Sequence, residues 1–128
     1  MAGVTYDTGA LIAAERNDRR MWALHVGFLA EEVVPVVPSP VLAEAWRGGP
    51  RQANLVRLLA GCEVEDLTAE RARLVGELAG RADISDIVDV SVVEGAIRRG
   101  DDVVVNSNDS DIRLIAGAVR SRVRIESV

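Results

Sequence analysis

The sequence has 128 residues, of which 48% are apolar and 3% aromatic, so one domain over residues 1–128 is predicted, with a core of Val, Leu, Ile and Ala. All 15 basic residues are arginine, which excludes mechanisms that need a lysine, such as a Schiff base or a P-loop. The net charge of −5 disfavours non-specific adhesion to nucleic acid, but it is compatible with a nuclease whose carboxylates hold a cation.

Other exclusions concern disulfides and membranes. Cys62 is the single cysteine, so an internal disulfide and a multi-cysteine metal site are excluded. The N-terminus lacks the basic segment of a signal peptide, and no apolar run has the length of a membrane span. We therefore expect a soluble, cytoplasmic protein with no membrane association.

The first element is a short strand at Val4–Tyr6 that leads directly into Asp7. Thr8 and Gly9 link it to a predicted helix over Ala10–Arg16. In open α/β sheets, sites are built at the carboxyl ends of the strands, so Asp7 is the first candidate site residue. A second helix is predicted over Arg19–Glu32 after an Asp18 N-cap. It carries His25, the chain's only histidine, which we interpret as a packed or half-exposed side chain.

The middle of the chain alternates strands and helices. The apolar run Val33–Pro38 predicts a buried strand that starts after Pro35, because proline is unfavourable inside a central strand. The following predicted elements are a helix over Val41–Arg47 capped by Ser39, a helix over Arg51–Leu59, an edge strand at Glu63–Asp66, and a helix from the Thr68 cap to Ala79 that Gly80 closes.

The last third predicts a helix over Ile84–Ile97 with Ser85 as its N-cap and Gly100 as its end. Asp101 and Asp102 are interpreted as a turn. A strand at Val103–Val105, a polar loop, a helix over Ile112–Val119 and an edge strand at Val123–Glu126 complete the chain. This alternation predicts a three-layer α/β/α sandwich with a mainly parallel five-stranded sheet.

Acidic residues occur at four places that could share a site. They are Asp7, Glu44, the pair Asp86 and Asp89, and the loop that contains Asn108, Asp109 and Asp111. Glu44 and Asp89 stand among apolar neighbours, where a buried charge is costly unless it is paired. A divalent cation would supply that pairing, and oxygen ligands favour Mg²⁺ or Mn²⁺. The alternative is that each acid is a helix cap or a solvated side chain.

Four segments together resemble the PIN domain, and specifically the VapC-type toxin ribonucleases of bacterial toxin–antitoxin systems. They are Tyr6–Ile12, Pro38–Gly49, Ser85–Val90 and Val103–Ile112. The resemblance implies Mg²⁺- or Mn²⁺-dependent endonucleolytic cleavage of RNA, and a VapB-type antitoxin as partner.

The resemblance also implies roles for individual residues. Asp7, Glu44 and Asp89 match the family's first three metal-binding acids, and Asp86 matches an additional acid. The fourth family position falls on Asn108, with Asp111 three residues later.

Two positions depart from the family pattern. Asn106 replaces the usual Thr or Ser, and Asn108 is an amide where many members have a carboxylate, so Asp109 or Asp111 could substitute as a ligand. A catalytically impaired PIN-like module that binds RNA or protein therefore remains an alternative. Arg47, Arg51 and Arg57 are candidates for phosphate contacts, and a homodimer is expected.

Three other enzyme classes share single features with this chain. Asp7–Thr8–Gly9 matches the signature of retroviral-type aspartic proteases, whose fold is almost entirely β. A phospho-acceptor receiver domain needs a lysine after its last strand. A haloacid-dehalogenase-type phosphohydrolase needs a second aspartate at position 9, which is glycine here.

Overall fold

The computed structural model describes residues 3–107, 110–119 and 121–128. The strands are β1 (Val4–Tyr6), β2 (Val36–Pro38), β3 (Glu63–Glu65), β4 (Val103–Asn106) and β5 (Arg124–Ser127). The helices are α1 (Thr8–Glu15), α2 (Arg19–Ala30), α3 (Ser39–Ala45), α4 (Ala53–Leu59), α5 (Ala69–Ala82), α6 (Ile87–Arg99) and α7 (Ser110–Ala118), with a 3₁₀ turn at Pro50–Gln52. None of the helices in these residues is long and apolar enough to cross a membrane.

The five strands form one parallel sheet in the order β3-β2-β1-β4-β5. The predicted α/β/α class and the edge positions of β3 and β5 are confirmed. The strands β1, β2 and β4 are buried along their whole length, which explains their runs of β-branched residues. All five strands end at one edge of the sheet, so the residues that follow them are brought together there.

The helices form two groups. One contains α1, α2 and α4, and the other contains α5, α6 and α7. Helix α3 packs against both α1 and α6, so it crosses the carboxyl edge of the sheet between the two groups. The core between sheet and helices is apolar, and its largest fully buried side chains include Tyr6, Leu11, Met21, Leu55, Leu58, Ile112 and Ile115.

Several helix ends differ from the sequence-based prediction. Asp18 and Thr68 are N-caps as predicted. Ser39 is wrong as a cap, because it is the first residue of α3 and its hydroxyl oxygen accepts from the Leu67 amide. Ser85 is also wrong, because the Asp86 carboxylate caps α6. Helix α5 continues past Gly80 and ends at Ala82, and the following residue, Asp83, has a left-handed conformation.

An ionic network holds the exposed edge strand β3. The Glu65 carboxylate accepts hydrogen bonds from Arg98 and Arg99 and pairs with Arg71. Burial alone would raise the pKa of Glu65, but the hydrogen bond from Arg98 and the charges of the three arginines outweigh it, so the pKa is lowered. The network extends to Asp101, which accepts from Arg99. The interpretation of Asp101 as a simple turn residue is therefore wrong.

A buried aromatic cluster lies beneath α2. Tyr6 Oη lies 2.9 Å from His25 Nδ1, and both side chains are buried. Burial, followed by the nearby Cys62 thiol, raises the pKa of Tyr6, so its hydroxyl stays protonated beside the His25 ring. Burial also lowers the pKa of His25 and raises that of Cys62 to about 12. The interpretation of His25 as a packed side chain agrees with this cluster.

We expect His25 to make the stability of the fold depend on pH. Because its folded-state pKa is below the ordinary value of about 6.5, the unfolded chain binds more protons between these two values. The free energy of unfolding should therefore be at its full value above about pH 6.5 and fall as the pH drops toward the folded-state pKa. Urea denaturation between pH 7.5 and 5 should show this decline.

The control is His25→Gln, which cannot titrate. It should lower stability at neutral pH and flatten the dependence between pH 7.5 and 5. A variant that keeps the wild-type slope would show that another group is responsible.

Candidate active site

Asp7 is held at the carboxyl end of the central strand β1. Its amide donates to the Val105 carbonyl oxygen of β4 at 3.1 Å. Its carboxylate Oδ1 accepts from the Ala10 amide at 3.1 Å, which makes Asp7 the N-cap of α1. The residue is only 3% exposed. A buried carboxylate is favourable here because the helix N-terminus supplies hydrogen-bond donors and a positive potential.

The structure separates Asp89 from Asp86, although both lie at the start of α6. Asp89 is in the first turn and is 8% exposed. Asp86 is exposed, and its Oδ1 accepts from the Asp89 amide at 3.2 Å. Asp86 therefore fixes the position of the Asp89 backbone. Asp89 is the buried acid of the pair.

Glu44 lies on α3, the helix that crosses the carboxyl edge between α1 and α6. It is exposed, and so are its neighbours Ala43 and Trp46, the latter by 43%. The expectation that Glu44 is enclosed by apolar side chains is therefore wrong. The helix is short and lies on the outside of the sheet edge, so apolar sequence neighbours do not produce burial.

The end of β4 lies beside Asp7. Tyr6 pairs with Val105, so the next residues in register are Asp7 and Asn106, which is fully buried. A Cβ on Gly9 would lie 2.1 Å from Ser107 Oγ, so the loop after β4 presses directly on the start of α1. Glycine is required at this contact because no other residue fits.

The remaining predicted ligands lie outside the described residues. These are Asn108 and Asp109, together with the side chain of Asp111. Within the described part of the chain, no three His, Cys, Asp or Glu side chains lie close enough together to hold a metal ion. The structure thus brings Asp7 and Asp89 to the start of two helices that pack on β1, and leaves Glu44 and Asp86 at the surface.

The predicted phosphate-contacting residues Arg47, Arg51 and Arg57 are exposed. Arg47 follows α3, and its guanidinium donates to the Trp46 carbonyl oxygen at 2.7 Å. Arg57 lies over the ring of Trp22, with 4.5 Å between its Cζ and the ring centroid. This cation–π contact gives Arg57 a structural role that its sequence position did not indicate.

Gln52 is a buried residue that the sequence interpretation missed. Its Oε1 accepts from the amides of Arg47 and Gly48, and its Nε2 donates to the Ala45 carbonyl oxygen and the Glu15 carboxylate. These four bonds use the full capacity of the amide. They fix the turn after α3, where Gly48 has a positive φ. No local pattern indicates this role, because Gln52 acts on residues up to 37 positions away.

Thr8 is a second residue that was missed. It follows Asp7 and is the first residue of α1. Its hydroxyl oxygen is buried and has no hydrogen-bond partner among the residues that the structure describes. Such groups are rare in native proteins, and each calls for an explanation such as strain, a catalytic role, or a bound water or ion.

Comparison with known proteins identifies the family. The family model for the PIN domain matches residues 4–118. The chain belongs to the PIN-domain family. The crystal structure of VapBC2 from Rickettsia felis, bound to a DNA fragment from the promoter, contains a chain with a similar fold. The TM-score is 0.73 at 19% identity, over 98% of both chains. No protein of curated function matches this chain in sequence.

The described residues of this PIN domain fit a divalent cation. PIN-domain nucleases generally use such cations. Asp7 and Asp89 are buried carboxylates, and Mg²⁺ and Mn²⁺ prefer carboxylate oxygens as ligands. Thr8 follows Asp7 and adds a buried hydroxyl for which the described part of the chain offers no partner. A cation would offset the cost of burying two carboxylates.

Replacement of Gln52 by Met, which is similar in length, should destabilise the fold by about 2–3 kcal/mol, because it leaves several buried groups without partners. Urea denaturation measures the loss. Limited proteolysis at Arg47 should also accelerate, because the turn that carries it is released.

The matched control is Asn54→Ala. Asn54 is a nearby amide that makes one bond of 3.4 Å to the Glu15 carbonyl oxygen. Its removal should cost less than about 1 kcal/mol. Equal losses in the two variants would contradict the role assigned to Gln52.

Proposed function

We propose that this PIN domain is a metal-dependent endoribonuclease that acts as the toxin of a type II toxin–antitoxin module. The observation that carries the proposal is the burial of Asp7 and Asp89 at the starts of two helices on the central strand of a PIN fold. VapC-type members of the family are typically nucleases, which supports hydrolysis of a nucleic acid.

Asp7 and Asp89 would hold Mg²⁺ or Mn²⁺, with Asp86, Asn108 and Asp111 as further candidate ligands and Glu44 as the third catalytic acid. The bound cation would bind the phosphodiester, lower the pKa of a water and stabilise the leaving oxygen.

Hydrogen bonds within the protein orient the acidic residues of this site in the absence of a cation. The bond from the Ala10 amide orients the Asp7 carboxylate, and the Asp86 cap orients the first turn that carries Asp89. The Asp7 carboxylate is therefore held by a backbone amide and the backbone of Asp89 by the Asp86 carboxylate, which reduces the reorganisation needed for binding. Glu44 approaches from α3 and stays accessible to substrate and solvent.

RNA is the proposed substrate. Arg47 lies in the turn that Gln52 fixes, Arg51 directly precedes Gln52, and both side chains are exposed. They would contact the phosphates of the RNA backbone. The chain as a whole is acidic, so these local arginines and the cation would provide the attraction for the phosphates.

A VapB-type antitoxin is the proposed protein partner. An apolar groove lies next to Glu44, and it is lined by Ser39, Leu42, Ala43, Trp46 and Leu59. A segment of the antitoxin seated there would cover α3 and block access to the acids. A homodimer is the proposed assembly.

The alternative is a PIN-like module that binds RNA or protein without cleaving it. Asn106 supports this alternative because it is buried within the fold at a position where the family usually has a hydroxyl. The two functions differ in their response to metal and in cleavage, which the next two experiments measure.

The metal site is tested by thermal melting with increasing Mn²⁺. At ten times its dissociation constant, Mn²⁺ should raise the Tm of the wild-type protein by about 5 °C. Asp7→Asn combined with Asp89→Asn should abolish the rise, because the carboxylate charges are lost. Asp18→Asn is the matched control, since Asp18 caps α2 through the same kind of bond to Met21. It should retain the full shift. Identical shifts in all three proteins would contradict the metal site.

Activity is tested with Asp7→Asn alone. Asparagine preserves the N-cap, so the fold should be kept. Cleavage of RNA should fall by at least about 10²-fold, since the removed charge acts on the reacting centre, and growth inhibition on expression should disappear. The Asp18→Asn control should cleave and inhibit normally. Persistent toxicity of Asp7→Asn would place the chemistry elsewhere.

A further inference from the structure

Thr8 has a feature that the proposed function leaves unexplained. Its hydroxyl oxygen is inaccessible to solvent and has no hydrogen-bond partner in the part of the chain that the structure describes. A helical threonine usually bonds to a carbonyl oxygen of the preceding turn. Thr8 is the first residue of α1, so no preceding turn of that helix exists.

The surroundings of Thr8 are tightly packed. Gly9 contacts Ser107 so closely that a Cβ would lie 2.5 Å from the Ser107 Cβ. Asp7, on the other side, is bound to the Ala10 amide. Thr8 therefore lies in the sequence between two residues that are fixed at the carboxyl edge of the sheet, and its hydroxyl has no hydrogen-bond partner among the described residues.

Thr5 shows what a satisfied threonine in the same segment looks like. Its hydroxyl donates to Asp101 and accepts from Arg99 at 2.7 Å. The two threonines are three residues apart, and both have buried hydroxyls. A purely structural role would be served better at position 8 by valine, which has the same shape and no polar group to satisfy.

We propose that Thr8 is a ligand-binding residue, whose hydroxyl donates a hydrogen bond to an oxygen atom that arrives with the occupant of the site. This inference rests on the proposed metal-dependent function. Two sources of the oxygen share this chemistry. One is the hydration water of the cation, and the other is a phosphate oxygen of the RNA backbone.

The experiment compares wild type, Thr8→Val, Thr8→Ser and Thr5→Val. For each protein, the melting temperature is measured in EDTA. In separate samples, the binding affinity is measured for Mn²⁺ alone and for uridine 5′-monophosphate at saturating Mn²⁺. In EDTA, Thr8→Val should melt at or above the wild-type temperature, whereas Thr5→Val should melt lower because it breaks two bonds. Thr8→Ser, which keeps the hydroxyl, should bind both probes like wild type.

Loss of the Thr8 hydroxyl should lower the binding affinity for one of the two probes about tenfold, which corresponds to about 1.4 kcal/mol. Weaker binding of Mn²⁺ alone identifies hydration water as the source, and weaker binding of the nucleotide with unchanged Mn²⁺ affinity identifies the phosphate. Thr5→Val should bind both probes normally.

Two results would overturn the assignment of Thr8 without affecting the metal site. One is wild-type affinity of Thr8→Val for both probes, and the other is a large loss of stability of Thr8→Val in EDTA, since the hydroxyl would then have a partner in the free protein. If the wild-type protein itself fails to respond to Mn²⁺, the metal-site proposal fails first, and the inference about Thr8 fails with it.

Discussion

The central position of β1 is the constraint on which the rest of the structure depends. The strand has neighbours on both sides and helices over both faces, so the residue that follows it is forced into a buried position at the sheet edge. That residue is Asp7. A buried carboxylate requires donors, and the first turn of α1 supplies one. The strand, the acid and the helix therefore form one unit, in which changing any part alters the position of the others.

Much of the fold could be predicted from the sequence because it depends on local patterns. Buried runs of β-branched residues predicted the central strands, and charged residues predicted the edge strands. Gly100 follows α6 in a left-handed conformation, as its position suggests. The errors concern groups whose partners are distant in sequence. Ser39 has the residue type of a helix cap, but its hydroxyl oxygen accepts a hydrogen bond from the Leu67 amide. Asp101 resembles a turn residue, but its carboxylate accepts hydrogen bonds from the Arg99 and Thr5 side chains.

The candidate site shows the same division. The burial of Asp89 follows from its place among apolar residues on a helix that packs against the sheet. The same reasoning failed for Glu44, because α3 lies across the sheet edge and has a solvent-exposed side. Gln52 and Thr8 could not be found from sequence patterns at all. One is defined by bonds to distant residues, and the other by the absence of a bond among the described residues.

The charges of the chain are divided between two tasks. On the α5–α6 side, arginines neutralise Glu65, Glu94 and Asp101 and fasten the edge strand β3 to the helices. These pairs are complete in the free protein and depend on no ligand. At the carboxyl edge, backbone amides fix the positions of Asp7 and of the turn that carries Asp89, and Thr8 has a buried hydroxyl without a described partner. A buried polar group without a partner costs stability, so the described contacts do not explain why a hydroxyl is placed at position 8 of this edge.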